Sequence, residues 1–325
     1  MKRIARKNAN HFVISREIPP AIKVKPREPF VIETEDTYSG YIRKETNLPI
    51  PEHVPYLTSA VPAQVNPCGG PVFVEGAEKG DLLVVNIIDI VPWKQGFTCF
   101  LPGVGPLRDS ATWPECHGPF TKIIKHLPGP SGTTSDGKGV FTDQITWDLK
   151  PFIGTIATAP ERGAENTLYG QGPWGGNIDV RDACKVTRVY LNSFNTGALL
   201  FVGDVHGTQA DSELYGLADE TPAEVTLSCD IIKKKQVGGL GRLEKADSII
   251  TLTSKRIEGS LEDAVTAAFI QMMEWLVVDY GMNKKEAYMH MSVNPDVRIN
   301  IYQFIPYSPF GTVGVEFPKK YLPSR

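Results

Sequence analysis

Short segments in which apolar and polar side chains alternate recur along this chain, a pattern typical of half-buried β-strands. The first lies at residues 20–34, and two β-rich runs between residues 72 and 88 flank the turn at residues 78–81. Further strands are predicted at residues 184–191, 198–203, 223–232, 248–253 and 297–304. Residues 99–140 are rich in glycine and proline, and we expect extended surface loops there.

One long helix is predicted near the C-terminus, because apolar residues recur there at spacings of three and four. Ser260 precedes this pattern as an N-cap, and Gly281 follows it as a C-terminal stop. A second helix is predicted to begin at Asn283, which is spaced from Glu286 as in a capping box. Strands therefore outnumber helices, and the pattern predicts a mainly β fold with a few helices (α+β).

Composition supports this fold class and limits the number of domains. The 30 glycines and 26 prolines among 325 residues favour many turns and short strands over a helical bundle. No internal repeat or low-complexity linker interrupts the sequence. We expect a single unit over residues 1–325, with subdomains 1–150 (N-terminal, β-rich) and 151–325 (site-bearing) as its finer division.

Charge and cysteine usage exclude several classes of partner. The net charge is −3, with 34 basic and 37 acidic residues, so we expect neither a nucleic-acid nor a membrane partner. No apolar run approaches the roughly 20 residues that a membrane span requires.

The five cysteines form no C-x-x-C pair and indicate free thiols. No apolar segment follows the basic N-terminus, so we expect no signal peptide and a cytoplasmic location.

The turn-rich segment 192–197 predicts an antiparallel hairpin between strands 184–191 and 198–203. In a hairpin, the start of the first strand lies beside the end of the second. The acidic residues at 179–182 would therefore lie at the same end as those at 204–206. A long separation in sequence would then become a short distance in space.

Acidic residues and a histidine share this predicted strand end. Asp204 and His206 are two residues apart, so both side chains point the same way on an extended strand, and Asp211 and Glu213 repeat the spacing. With Asp179, these carboxylates would repel one another unless a cation lies between them. Asp and His together suit zinc. The spacing alone fits equally well a set of turn-forming aspartates and a structural His–Asp pair.

At this cluster the sequence resembles the acetamidase/formamidase family, whose motifs recur here in order from about Val65 to Lys319. The matching blocks are G-G-N-x-D at 175–179, G-A-L at 197–199, G-D-x-H-x-x-Q-G-D-G-E at 203–213, and similar stretches at 70–81, 153–160 and 286–292. Two places depart from the family pattern. Trp174 stands where the family often carries His, and Ala210 and Ser212 replace two glycines.

The resemblance implies a β-sandwich or barrel-like architecture of the family's type, with one long C-terminal helix and assembly into a homo-oligomer. It implies hydrolysis of a short aliphatic amide such as formamide or acetamide, with release of ammonia and a carboxylate. For this reaction we expect Asp179, Asp204 and His206 to hold a divalent metal, with zinc as the first candidate and calcium as the second, and to leave a position open for water.

The remaining site residues are assigned to the steps that amide hydrolysis requires. We expect Glu213 to be the general base, with Asp211 as second choice, and Asn177 to orient the carbonyl or a ligand carboxylate. Residues expected to support the site are Glu75 and Glu220, which would fix the histidine tautomer, and Trp174 and Gly176, which would line the substrate pocket.

Three other readings of the sequence stay open. The same site would suit a cyclic amide (lactam) or another small C–N bond, which the change to Trp174 favours. The chain would alternatively be a non-catalytic β-rich binding protein with a structural metal. A cysteine nucleophile at Cys116 beside His117 is less favoured, because adjacent residues on a strand point apart.

Overall fold

The structure, a computed structural model, describes residues 1–55, 57 and 63–323. Short strands dominate these residues, as the pattern of alternating side chains predicts. In chain order the strands are β1 (Lys2–Ile4), β2 (Val13–Ser15), β3 (Ile22–Val24), β4 (Phe30–Thr34), β5 (Cys68–Val74), β6 (Leu82–Pro92), β7 (Gln95–Phe100), β8 (Phe120–Leu127), β9 (Lys138–Val140), β10 (Thr146–Asp148), β11 (Phe152–Thr158), β12 (Ala164–Asn166), β13 (Gln171–Gly172), β14 (Gly175–Asn177), β15 (Arg188–Asn192), β16 (Leu200–His206), β17 (Ala223–Ile232), β18 (Gly241–Glu244), β19 (Ser248–Ser254), β20 (Arg298–Ile301) and β21 (Thr312–Pro318).

Helices are few and lie near the C-terminus. They are α1 (Lys255–Glu258), α2 (Leu261–Glu274), which continues into a π-helical turn (Trp275–Asp279), and α3 (Lys284–Val293). Short 3-10 turns lie at Arg6–Asn8, Pro114–His117, Thr134–Asp136 and Lys319–Tyr321. Within the part of the chain that the structure describes, no helix has the length and apolarity needed to cross a bilayer.

Two large sheets pack on each other and enclose the main core. One sheet has nine strands in the order β1-β4-β17-β6-β15-β18-β19-β21-β20, and the other has six in the order β13-β14-β11-β16-β5-β3. Their facing side chains form one buried apolar cluster, which includes Ile32, Val85 and Leu227 from the first sheet and Val72, Ile156 and Val202 from the second. A β-sandwich of mainly antiparallel strands results, which confirms the predicted mainly β class with few helices.

Helices α2 and α3 cover the outer side of the nine-stranded sheet. Ala264, Ala268 and Met272 recur every four residues on α2 and are buried, so one helix face packs against the sheet. Ala268 and Met272 share an apolar cluster with Ile249 of β19 and Phe317 of β21. Both predicted helices and their caps are confirmed, at Ser260 for α2 and at Asn283 for α3.

The predicted hairpin between residues 184–191 and 198–203 is wrong. Strand β15 belongs to the nine-stranded sheet and β16 to the six-stranded sheet, so the connection crosses the sandwich. The physical reason lies in three consecutive residues with positive φ: Gly197 at 79°, Ala198 at 56° and Leu199 at 60°. This left-handed run redirects the chain from one sheet to the other instead of closing a two-strand turn.

The prediction of extended loops over residues 99–140 is wrong in part. Strand β8 and the neighbouring β7, β9 and β10 form a separate four-stranded antiparallel sheet in the order β10-β9-β8-β7. Strand β21 was also missed, since only the run at 297–304 was predicted, and it pairs with both β19 and β20. Glycine and proline at the strand ends masked the short alternation within these segments.

The cap of α2 offers a test of the helical layer. The Ser260 hydroxyl accepts a hydrogen bond from the backbone N–H of Asp263 at 3.0 Å. We expect Ser260→Ala to lower the free energy of unfolding by about 1 kcal/mol, because that N–H then lacks a partner. Urea unfolding monitored by circular dichroism measures this, with Ser260→Thr as the control that keeps a hydroxyl. Equal stability of the Ala variant and the wild type would contradict the capping role.

Candidate active site

Strand β11 of the six-stranded sheet brings the acidic residues together. It pairs with β14 on one side and β16 on the other, so that Thr155 lies opposite both Asn177 and Gly203. Asp179 lies two residues after the end of β14 and Asp204 lies near the end of β16, so the two carboxylates meet across β11. Proximity of these residues was predicted, but the hairpin given as its cause does not exist.

The ligand atoms of Asp179, Asp204 and His206 lie within 4.8 Å of one another. A second group with the same mutual spacing consists of His206, Glu213 and Glu220, so the histidine belongs to both. All five side chains are buried. The sequence therefore identified every member of the cluster, and their roles as metal ligands or base stay predictions.

Gly154 makes room for the two aspartates. A Cβ atom at this position of β11 would lie 2.6 Å from Asp179 Oδ1, 2.6 Å from the carbonyl oxygen of Asp204 and 2.9 Å from Asp204 Oδ2. These separations are shorter than carbon–oxygen contacts allow. Only glycine lets both carboxylates approach β11 this closely.

Four residues of the site have left-handed backbone conformations. The φ angles are 56° at Asn66, 45° at Asp179, 56° at Asp204 and 46° at Glu213. Such angles are uncommon for residues other than glycine, least so for Asn and Asp, and they cost free energy that the surrounding structure must offset. Their concentration here shows that the fold holds these side chains in directions that a relaxed strand would not give them.

Gln209 fixes the tautomer of His206. Its amide nitrogen Nε2 donates to the carbonyl oxygens of Asp179 at 3.0 Å and Tyr302 at 2.8 Å, so its Oε1 can only accept from His206 Nδ1 at 3.1 Å. His206 Nδ1 therefore carries a proton. Nε2 faces Glu220 Oε2 at 3.3 Å and Asp204 Oδ1 at 3.5 Å. In a neutral ring, Nε2 therefore directs its lone pair at the carboxylates of Glu220 and Asp204; in a protonated ring, it directs an N–H at them.

Amide and hydroxyl donors hold the outer oxygen of Asp204. Asn66 Nδ2 donates to Asp204 Oδ2 at 2.8 Å and Thr155 Oγ1 donates to the same atom at 3.3 Å. Thr155 Oγ1 also lies 2.9 Å from Asn177 Oδ1, whose own amide nitrogen donates to the Leu168 carbonyl. Asn177 therefore anchors the donors around Asp204, and its amide is engaged with protein atoms.

A second amide holds Asp179. Gln303 Nε2 donates to Asp179 Oδ2 and lies 3.4 Å from Glu213 Oε2. The other oxygen, Asp179 Oδ1, is buried and has no hydrogen-bond partner among the residues that the structure describes. A buried carboxylate oxygen without a partner is costly unless a cation or water meets it. Asp179 Oδ1 is therefore the ligand atom most plainly available to a metal.

Burial and neighbouring charges shift the pKa of Asp179, Glu213 and His206 in the cluster. Burial and the charge of Asp204 raise the pKa of Asp179 to about 8, and burial and the charge of Asp179 raise the pKa of Glu213 well above its usual value. Burial lowers the pKa of His206, but Glu220 and Asp204 outweigh it and hold that pKa well above its usual value. Burial is the largest cause of the shifts at Asp179 and Glu213, and the neighbouring negative charges add to it.

The cluster forms the floor of a cavity of about 370 Å³. Tyr38, Leu168, Tyr215 and Phe310 contribute to walls that are largely apolar. A pocket of this size with a few convergent polar groups is the usual form of a small-molecule site. The arrangement can hold a cation, place a neutral ligand against it, and exchange a proton with Glu213.

Several predicted site residues lie outside the cluster. Asp211 is exposed and pairs with Arg181 at 2.6 Å, so its carboxylate faces solvent. Glu75 lies 4.0 Å from Lys23 and does not reach His206, whose tautomer Gln209 fixes instead. Glu220 belongs to the cluster, but it faces the Nε2 side of the ring and not the Nδ1 side that sets the tautomer.

The two expected pocket residues also lie elsewhere. Trp174 packs into an apolar cluster with its ring 6.4 Å from that of Phe194, and it is absent from the described lining of the cavity. Gly176 is buried in β14, where a Cβ would lie 2.0 Å from the Gly170 carbonyl oxygen. Gly176 therefore serves strand packing. A change from His to Trp at position 174 does not alter the cavity wall directly.

The histidine beside the alternative nucleophile contacts a backbone carbonyl. Cys116 lies in a 3-10 turn, and the neighbouring His117 directs its Nε2 to the Ser110 carbonyl oxygen at 2.8 Å. Another histidine, His126, is buried, and its Nε2 lies 3.0 Å from Oδ2 of Asp219, the residue that precedes Glu220 in the chain. This buried pair supports the segment that carries Glu220.

Several functional residues were missed at the sequence level. Gln209 lies within the matched 203–213 block, so the motif carried a signal for it, but no role was assigned. Asn66, Gly154 and Gln303 come from distant parts of the chain. No local spacing links them to the acidic residues, and only the three-dimensional pairing does.

Comparison with known proteins identifies the family and agrees with the fold. The sequence profile of the Acetamidase/Formamidase family matches residues 2–168 and 153–319. Acetamidase from Mycolicibacterium smegmatis is 28% identical over 272 residues, 67% of this chain and 64% of that protein. Formamidase from Methylophilus methylotrophus is 27% identical over 243 residues, 61% of this chain and 58% of that protein. The chain thus spans less than two thirds of the length of these relatives.

Among solved structures, a crystal structure of acetamidase from Bacillus halodurans is similar over nearly its whole length. The TM-score is 0.83 at 29% sequence identity, and the superposition covers 98% of both chains. The two chains therefore share the same overall fold.

Gly154 provides a test of the geometry at the site. We expect Gly154→Ala to lower the free energy of unfolding by about 1–3 kcal/mol, because the added methyl group must displace the Asp204 backbone or the carboxylates. Urea unfolding in the presence of a chelator measures this without metal effects. Gly238→Ala is the control, since its new methyl group meets only the flexible Gln271 side chain at 3.2 Å. An unchanged stability of Gly154→Ala would show that the carboxylates do not crowd β11.

Proposed function

The chain belongs to the acetamidase/formamidase family, and from this premise we propose that it is a metal-dependent hydrolase of linear amides. The products would be a carboxylate and ammonia. The relatives named acetamidase and formamidase support a linear amide as the substrate class. A cytoplasmic location and a homo-oligomeric assembly remain predictions from the sequence.

The orientation of His206 carries the metal proposal. Its Nδ1 proton is committed to Gln209, so the neutral ring directs a lone pair from Nε2 at Asp204 and Glu220. Lone pairs repel at these distances unless a cation lies between them. Without a metal ion, a second proton on the ring would supply one positive charge, and the raised pKa values of Asp179 and Glu213 mean that those two carboxyl groups would also hold protons. A divalent cation supplies two positive charges and also meets the unpartnered Asp179 Oδ1.

The residues present fit such an ion. Asp179 Oδ1, Asp204 and His206 Nε2 would hold it, and this set of two oxygens and one nitrogen suits zinc. When bound, the ion would lower the pKa of a water molecule and polarise the amide carbonyl. Gln209, Asn66 and Gln303 orient the three ligands through their second atoms, which stabilises the geometry before substrate arrives.

Glu213 is the proton carrier in this proposal. Its carboxylate belongs to the cluster and lines the cavity, within reach of a water molecule and of an amide nitrogen placed there. Burial and Asp179 raise the pKa of Glu213, which favours uptake of a proton from water. The same proton can then pass to the leaving nitrogen. Asp211, the second choice, faces solvent and is not within this cavity lining.

Metal content separates this proposal from a protonated His206. We expect the purified protein to carry a divalent metal, zinc first, and to lose ammonia release from acetamide or formamide after chelation. His206→Ala should lose both metal and turnover, because the ligand set loses its nitrogen. Elemental analysis with an ammonia assay measures this, and Cys116→Ala is the control that keeps both. Intact metal and turnover in His206→Ala would exclude the assignment.

Glu213→Gln tests the proton carrier. We expect kcat to fall by about 10²–10⁴-fold while the metal content stays near that of the wild type, because the amide cannot accept a proton. Asp211→Asn is the matched control and should retain most of the activity. Loss of metal in Glu213→Gln would instead make Glu213 a ligand, and full activity would exclude it from the reaction.

A further inference from the structure

The cavity above the cluster has two chemically distinct halves. Its floor is polar and carries the cluster residues Asp179, Asp204, His206, Glu213 and Glu220. Its walls are apolar or aromatic, and come from segments far apart in the chain. The wall residues include Leu168, Tyr169, Leu217, Ile305, Tyr307 and Phe310. A ligand held by its polar end at the floor therefore places its other end against hydrocarbon.

The cavity is large for the amides that the relatives' names suggest. Its volume of about 370 Å³ is roughly twelve times the ≈ 30 Å³ that one water molecule occupies in the liquid. Acetamide carries a single methyl group beyond its carboxamide and would leave most of this space to water. Water against an apolar wall is unfavourable, so a larger apolar group gains free energy by replacing it.

The charges of the lining restrict the ligand further. No Lys or Arg is among the described residues that line this cavity, so no cation is present to pair with a carboxylate or phosphate substituent. The floor carries four carboxylates that repel anions. The substrate that the cavity fits is therefore uncharged at the end remote from the reacting carbonyl.

Aromatic rings form one side of the wall. The rings of Tyr169 and Phe310 stack with centroids 5.6 Å apart and an interplanar angle of 19°. The stacked pair connects the segment before β13 with the segment after β20. Tyr169 is 41% exposed. Nearby, the Arg108 guanidinium lies 4.0 Å over the ring of Tyr307, which keeps that cation engaged with an aromatic face. Stacked rings at a cavity wall favour contact with another flat apolar group.

We propose that this site takes an uncharged primary amide whose acyl group carries an aromatic or bulky apolar substituent, with Tyr169 and Phe310 as specificity-determining residues. The inference rests on the proposed function, since the carboxamide end must meet the cluster. Water oxygen bonds to the carbonyl carbon, the C–N bond breaks, and nitrogen leaves as ammonia with the proton that Glu213 transfers. Phenylacetamide represents the class, and acetamide differs from it only by the ring.

The first experiment compares the two amides in the metal-loaded protein. We expect kcat/KM for phenylacetamide to exceed that for acetamide by at least about tenfold, because the ring fills the apolar half of the cavity. Phe310→Ala and Tyr169→Ala should each reduce this ratio by about tenfold. Tyr288→Ala is the control, because Tyr288 lies on α3, is 70% exposed and does not line this cavity. A ratio at or below one would overturn the inference.

The second experiment measures binding and separates failure of the inference from failure of the proposed function. Titration calorimetry with Glu213→Gln should show phenylacetamide binding at least about tenfold more tightly than acetamide, and Phe310→Ala in that background should weaken it. If the wild-type protein hydrolyses no amide but this difference in affinity is observed, the hydrolase proposal is wrong and the proposed ligand class is retained. Equal affinities, or no binding of phenylacetamide, would overturn the ligand class.

Discussion

Mutual repulsion among four buried carboxylates around one imidazole is the constraint on which the rest of this structure depends. At separations no greater than 4.8 Å, two such charges would repel by at least about 3.5 kcal/mol at an effective dielectric constant of about 20. Two such pairs, Asp179 with Asp204 and Glu213 with Glu220, would consume a large part of the stability of an ordinary domain if all four groups were charged. A divalent cation at the centre would outweigh these repulsions through its attraction to each carboxylate, and the raised pKa values of Asp179 and Glu213 describe the cluster without one.

The fold supplies the geometry that this charge arrangement requires. Strand β11 separates the two aspartates and carries Gly154, whose missing side chain admits both carboxylates. Left-handed backbone at Asp179, Asp204 and Glu213 turns their side chains inward, and the amides of Asn66 and Gln303 hold the outer oxygens. The large apolar core between the two sheets offsets the cost of this strained, polar interior.

The members of the cluster could be predicted from sequence because the acidic residues and the histidine lie in one stretch that carries the family motifs. The capped helix could be predicted because the Ser260 cap and the spacing of apolar residues are local features of the sequence. The predicted hairpin was wrong because Ala198 and Leu199 adopt positive φ angles, which the conformational preferences of alanine and leucine do not indicate. The roles of Gly154 and Gln303 could not be inferred, since long-range strand pairing brings them to the site. Trp174 was assigned to the pocket by its neighbours in sequence, whereas its ring packs beside Phe194.

With a cation at the centre, the cluster and the apolar cavity above it would bind the carbonyl end of a neutral amide and shield the remainder from water, as proposed above. The most direct measurement is a crystal structure with anomalous diffraction data collected on both sides of the zinc absorption edge. The account predicts one anomalous peak within bonding distance of Asp179 Oδ1, Asp204 and His206 Nε2. The account would be contradicted if protein produced and crystallised with zinc showed no peak there and His206 Nε2 formed a hydrogen bond directly to Glu220.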